Sequence, residues 1–199
     1  MKKTVIVLTL LLTSFFGLSQ EDIEIEESNK NEISTNLLDL VVAGSFNVNY
    51  ERYLDKNQSL FIGATFFDTF AYFDAGNIKN TNAVSLKAAY IIYFSKKKDH
   101  AGFFFYPQAR IRTGEVTIED YYYYYDVSDT PSDYIYTNDT TYDVGSFSLG
   151  FGIGHKWVFN DKFTLGINAE IGRVLAGEIN TDYLDYVEPR FGVNFGIRF

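Results

Sequence analysis

The 199-residue sequence contains no cysteine, three prolines, two histidines and one tryptophan. Without cysteine there is no disulfide framework and no thiolate chemistry. The two histidines, His100 and His155, are far apart in the chain, and neither has a second histidine at ligand spacing, so a zinc site is not expected. After the first 20 residues no apolar run approaches the ~20 residues that a membrane-spanning helix requires. Cations are also scarce. The formal charge is −9, and loss of Lys2 and Lys3 with a leader would make it −11. Such acidity argues against a nucleic-acid partner, which selects a basic face.

The start of the chain explains part of this. Lys2 and Lys3, the apolar stretch from Val5 to Leu12, and the small residues Gly17 and Ser19 form a secretory signal. Residues 1–20 are therefore expected to be removed, with cleavage after Ser19 or Gln20. Residues 21–31 carry five acids, Glu21, Asp22, Glu24, Glu26 and Glu27, and read as a periplasmic lead-in. An exported chain without disulfides needs a large core or a membrane. Aromatics make up 18% of it, and abundant Phe and Tyr with little Pro favour strands.

Eight strand-like runs follow, at about 32–42, 46–54, 59–67, 83–94, 102–114, 144–158, 163–175 and 190–199. Most are near the ~9–11 residues of a tilted spanning strand. The connections alternate: 43–45, 68–82, 115–143 and 176–189 are mostly long, whereas 55–58, 95–101 and 159–162 are short. Membrane barrels place short turns in the periplasm and long loops outside. With both termini periplasmic, three of the four external connections are the long ones.

The faces of the strands say which medium each meets. Phe191, Val193, Phe195, Ile197 and Phe199 alternate with Arg190, Gly192, Asn194, Gly196 and Arg198. The strands from 146 and 163 repeat the pattern, with Gly150, Gly152, Gly154, Gly166 and Gly172 in the polar phase. Placing the small residues inward makes room for Glu51, Lys87, Arg110, Arg112, Lys156, Glu170, Arg190 and Arg198 on the inner face of a narrow barrel. These charges are expected to form a paired, hydrated network rather than to line an open pore. The fold expected for residues 32–199 is all-β, an eight-stranded antiparallel transmembrane up-and-down barrel. Tyr53, Tyr93, Phe94 and Trp157, beside the short turns, read as an aromatic girdle.

The chain ends Arg190-x-Gly192-x-x-Phe195-x-Ile197-x-Phe199. This resembles the C-terminal signal that outer-membrane barrels present to their assembly machinery, with Gly192, Phe195, Ile197 and Phe199 as its elements. The stretches NVNYERYLDKNQSLFIG (47–63), GFGIGHKWVFNDKFTLGINAEIGR (150–173) and PRFGVNFGIRF (189–199) resemble small outer-membrane barrels of Bacteroidetes-type bacteria. The resemblance implies the OmpA/OmpX-like fold, residence in the outer membrane among lipid and lipopolysaccharide, and no catalytic motif.

Direct signs of chemistry are few. His155 falls on the outward face with Ile153 and Trp157, without a serine nucleophile beside it, so a lipid A-modifying enzyme is the weaker alternative. His100, next to Lys96, Lys97 and Lys98, reads as a solvated turn residue. Carboxylates crowd 115–143 (Glu115, Glu119, Asp120, Asp126, Asp129, Asp133, Asp139, Asp143) and 176–189 (Glu178, Asp182, Asp185, Glu188), but not in an EF-hand order. No cofactor, metal or catalytic residue is assigned. The most informative segment is 115–143, which has eight tyrosines: Tyr121, Tyr122, Tyr123, Tyr124, Tyr125, Tyr134, Tyr136 and Tyr142. Tyr121 to Asp126 and Asp133 to Tyr136 can pair across Ser128–Pro131 as a projecting hairpin. Tyrosine offers rigid contact area with a polar tip, so the segment is a candidate surface for an extracellular protein or glycan. The remaining alternative is a narrow channel, which eight strands disfavour. A monomer is expected.

Overall fold

A computed structural model describes residues 30–69, 78–95, 99–124, 134–179 and 186–199. For 119–124, 134–137, 178 and 179 it describes the backbone alone. The expected signal peptide, most of the acidic lead-in, Lys96–Lys98, Tyr125 and the turn 128–131 lie outside the described residues.

The strands are β1 (Asn31–Asn36), β2 (Phe46–Tyr53), β3 (Gln58–Phe66), β4 (Ile78–Thr81), β5 (Val84–Tyr93), β6 (Gly102–Tyr124), β7 (Tyr134–Phe159), β8 (Phe163–Ile179) and β9 (Val187–Arg198). All but β4 form a closed, antiparallel, eight-stranded barrel in the order β6-β5-β3-β2-β1-β9-β8-β7, with β7 returning to β6. The seam between the first and last strands pairs Glu32 with Arg198 and Asn36 with Asn194. Asn31 and Phe199 exchange both backbone bonds there, at 3.0 and 2.9 Å.

The outer wall is apolar and the inside charged. Phe103 is 69% exposed, Ile62 58% and Phe151 54%, whereas Arg112 is 3% and Glu51 3% exposed. Soluble monomers do not expose apolar surface on this scale. A closed barrel with this outside satisfies its backbone internally and meets lipid, as a transmembrane barrel does.

Two elements depart from the sequence expectation, and a third agrees with it. The first strand stops at Asn36 rather than continuing to 42. The Asn36 side chain accepts the Leu38 N–H (3.1 Å) and turns the chain into a π-helical turn, Asp39–Ala43, that ends on left-handed Gly44. This is an Asn start and a Gly stop, which the run of Leu and Val obscured. The connection is therefore long, and all four at that end of the barrel now follow the parity. Second, β4 lies in the expected loop 68–82 and pairs with β6 through Thr81↔Val116 and Ile78↔Ile118. Third, most of 115–143 is strand, paired as the expected projecting hairpin requires. β5 leaves β6 at Val84↔Thr113 and β8 leaves β7 at Val144↔Ile179. The β6–β7 register nevertheless runs on to Tyr124↔Tyr134. At ~3.4 Å per residue, this ribbon stands about 35 Å beyond Gly114.

The inward glycines make room, though more for rings than for charges. A Cβ on Gly152 would collide with the Tyr106 ring, and one on Gly154 with Phe104. At Gly166 nothing lies nearer than 3.8 Å. Gly152→Val is therefore expected to cost about 2–3 kcal/mol by overpacking, and Gly166→Ala close to nothing. Urea midpoints of the refolded barrel in detergent, followed by heat-modifiable gel mobility, measure both.

Candidate functional site

Two parts of the molecule carry its chemistry, the barrel interior and the ribbon above it. Alternation points one residue in two of each strand inward, and the charges that follow from this form three tiers. At the short-turn end, Lys156 of β7 bridges Glu51 (2.6 Å) and Glu32 (3.2 Å). Arg198 reaches Glu32 at 3.5 Å. Tyr93 donates to Glu51 at 2.6 Å, Ser59 does so at 2.5 Å, and Tyr53 donates to Glu32.

In the middle, Glu170 of β8 receives Arg110 at 2.5 Å, Lys87 at 3.0 Å and the Tyr106 hydroxyl at 2.8 Å. Asn168 donates to Tyr106 (2.9 Å), and Asn194 to Asn168 (2.6 Å). Lys87 also lies over the Phe61 ring, 4.9 Å from its centroid. At the loop end, Arg112 joins Asp68 and Glu188, both at 2.6 Å, and Arg190 holds the other Asp68 oxygen at 2.7 Å.

All eight lumen residues named from the sequence point inward. Taken alone they are six cations facing two acids. The structure supplies the balance with Glu32, Asp39, Asp68 and Glu188, all less than one-tenth exposed. Six cations thus meet six carboxylates. Period-two counting missed these acids for local reasons. Asp68 follows β3 after Phe67, whose φ is +58°, and turns back into the mouth. Asp39 sits in the π-helical turn and accepts Asn47 at 2.6 Å. Glu188 was assigned to an acidic outer loop but belongs to β9. Glu32 shares the inward phase at the barrel seam, opposite Arg198.

Two further expectations are corrected. Tyr53 and Tyr93 are not girdle residues: each is 2% exposed, because both share the inward phase of Glu51 and Lys87. His100 is not solvated. It is 4% exposed and stacks on Tyr53, with centroids 4.0 Å apart. Phe94 and Trp157 do face outward, as does His155, held between Phe103 (4.8 Å) and Trp157 (4.4 Å). Phe195, Ile197 and Phe199 are on the outer wall. Gly192 faces inward, beside Asn168 and Asn194.

A cavity of about 80 Å³ remains inside the barrel, walled by both polar and apolar groups, with Asn47, Asn49, Asn168 and Asn194 beside Phe61 and Phe104. That is space for a few ordered waters. Among the described residues no group of three or more His, Cys, Asp and Glu could hold a metal ion.

No protein-family model matches the chain, and no curated protein matches it. Two solved structures are similar. The N-terminal β-barrel domain of Pseudomonas aeruginosa OprF matches 87% of this chain and 100% of its own, at 14% identity and a TM-score of 0.41. Neisserial surface protein A (NspA) matches 84% of this chain and 91% of its own, at 13% identity and a TM-score of 0.42. The fold assignment rests on the closed strand order and register described above.

The ribbon has two unlike faces. Its lumen-phase side begins with Val116 and Ile118, both buried. Val116 clusters with Ala83 and Val144, against which Ile78 and Tyr142 pack. Continuing that phase, the register sets Tyr122 opposite Tyr136 and Tyr124 opposite Tyr134. The other phase sets Glu115 opposite Asp143 and Glu119 opposite Asp139, with Tyr121 and Tyr123 following. Thr117 and Thr141, hydrogen-bonded at 3.0 Å, separate the two acidic rungs. Lys79 of β4 pairs with Asp139 at 2.8 Å.

The two kinds of ion pair predict different costs. Glu170→Gln leaves Lys87 and Arg110 facing each other inside the barrel and is expected to cost on the order of 3 kcal/mol. Lys79→Ala removes a half-exposed pair and is expected to cost under about 1 kcal/mol. Urea unfolding of the two variants in one detergent compares them directly.

Proposed function

We propose that this chain is an integral outer-membrane barrel whose role is structural and surface-directed, with the tyrosine-rich β6–β7 ribbon displayed outside the cell as a recognition surface. The observation that carries this reading is the ribbon itself, which continues for ten rungs beyond Gly114↔Val144 after β5 and β8 have ended. The orientation follows from the connections: short turns in the periplasm, the ribbon and long connections outside. In that orientation the outer wall meets lipid and lipopolysaccharide, and the terminal strand with Gly192, Phe195, Ile197 and Phe199 serves the assembly machinery.

The ribbon suits binding because its tyrosines stand on a rigid base. The register sets Tyr122 opposite Tyr136 and Tyr124 opposite Tyr134, and tyrosine is a residue type that offers large amphipathic contact area at low entropic cost. The partner is an extracellular protein or a surface glycan. A conducting role is disfavoured by the ion-paired interior, and an enzymatic one by His155, whose ring neighbours are Phe103 and Trp157. The protein acts without a cofactor, as a monomer.

Deletion of residues 119–138 is expected to leave membrane fractionation and heat-modifiable mobility unchanged, since the barrel registers end below it. The same deletion should abolish capture of the partner by whole cells, read by glycan array and by cross-linking of surface proteins. An identical binding profile with and without the ribbon would overturn the recognition role. Recovery of the intact protein in the inner membrane or periplasm would overturn the location.

A further inference from the structure

His100, two residues before β6, is inserted into the short-turn mouth of the barrel. The residue has φ +50°, a left-handed conformation that histidine, like Asn and Asp, adopts more readily than most non-glycine residues, and its ring enters between two phenols. One face stacks on Tyr53 at 4.0 Å, and an edge meets Tyr93 at 5.7 Å. The imidazole Nε2–H donates to the Asp55 carbonyl, which can only accept. The main chain is tied as well. His100 N–H donates to the Lys56 carbonyl (3.3 Å), and Arg198 donates to the His100 carbonyl (2.7 Å). One residue therefore links the β5–β6 turn, the β2–β3 turn and the last strand across the opening.

From this geometry we infer that His100 is a proton-operated cork, which closes the short-turn mouth of the barrel while its ring is neutral and releases it when the ring is protonated. The groups facing the ring show why. Glu51 and Tyr53 come from β2, Asp55 and Lys56 from the turn after it, Tyr93 from β5, Glu32 from β1, Lys156 from β7 and Arg198 from β9, with Asp99 preceding it in its own turn. The two buried carboxylates nearby, Glu32 and Glu51, already hold Lys156 and Arg198. An imidazolium would be a third cation against two acids.

Burial lowers the His100 pKa below the ordinary histidine value, and this outweighs the bond to Asp55, which raises it. A depressed folded value means that closure is at full strength above roughly pH 6.5 and weakens as the pH falls below it. The opposite mouth responds in a different window. Burial alone would raise the Asp68 carboxyl, but Arg112, Arg190 and Arg110 outweigh burial and hold it below the usual carboxylate range. Asp68 therefore keeps its ion pairs until well below about pH 4.

The natural absence of cysteine makes the test direct. Ile91 lies just inside the cork, 6% exposed and packed with Tyr93 and Phe104. The variant I91C, refolded in detergent, is treated with a small charged methanethiosulfonate. Its modification rate is divided by that of K162C, an exposed site in the β7–β8 turn, at each pH. The ratio is expected to rise about tenfold between pH 7.5 and 5.5, with heat-modifiable mobility showing an intact barrel at both. Adding His100→Phe or His100→Asn, neither of which titrates, should make the ratio independent of pH whatever its level. A flat ratio in I91C alone, or a rise that persists with both replacements, would overturn the cork. Only the compartment sensed, the periplasm, depends on the orientation proposed above. The micelle measurement does not, so the two can fail separately.

Discussion

The inside of this barrel is where opposite charges must meet in pairs, and that requirement organises much else in the molecule. With lipid outside, every polar side chain on a spanning strand has one direction in which to point. Eight strands leave an interior only wide enough for side chains. Six cations and six carboxylates share that space, and a buried charge without its partner costs several kcal/mol. Carboxylates are therefore drawn in from wherever the chain can supply them: Glu32 and Glu188 from strands, Asp68 from the end of a strand, Asp39 from a π-helical turn. The barrel is closed by backbone bonds, and its eight strands set its width; these pairs tie strand to strand across the inside. Glu170 alone ties β5, β6 and β8 through Lys87, Arg110 and Tyr106.

How much of this was legible in the sequence depended on which rule each residue obeyed. Eight strand-like runs bounded by connections of alternating length set the number of strands, and strict alternation over β7 to β9 set the inside and outside faces, which place the cations Arg110, Arg112, Lys156, Arg190 and Arg198 inward. It failed where the period broke. Phe67 turns with positive φ before Asp68, so counting along β3 gives no hint that Asp68 re-enters the mouth. The apolar run from Leu37 to Val42 suggested strand, although Asn36 and Gly44 bracketed it as a helical turn. Tyr53 and Tyr93 were misplaced because a positional rule about girdles was set above the phase of their own strands. His100 could not have been found by period at all, since its place depends on a turn crossing to Asp55, Lys56 and Arg198.

The ribbon shows the same alternation at work beyond the membrane. Once β5 and β8 end, the inward phase no longer faces a lumen: it begins with Val116, Ile118 and Tyr142, passes the polar residues Thr140, Asp120 and Asn138, and returns to tyrosine at 122/136 and 124/134. The outward phase no longer faces lipid and becomes acidic, with Glu115 opposite Asp143 and Glu119 opposite Asp139. Like charges directly opposite each other weaken a ladder. The Thr117–Thr141 bond between the rungs and Lys79 on Asp139 offset part of that repulsion. The composition of the segment was plain from its sequence, whereas its division into two faces needed the register.

A two-stranded ribbon by itself is marginal in water, so its base has to supply the order. β4 does this by pairing with β6 at Val116 and Ile118. Its neighbour Ala83 is fully buried against Val116 and Val144 and its carbonyl accepts the N–H of Asp68 (2.9 Å), whose carboxylate is locked to Arg112 and Arg190. The chain of contacts therefore runs from the charged interior, through Asp68 and β4, to the foot of the ribbon. A surface that must recognise a partner gains from such pre-ordering, because backbone fixed before contact is entropy not lost on contact. On this view the buried charges do more than fill a narrow barrel: they also fix the platform on which the tyrosines stand.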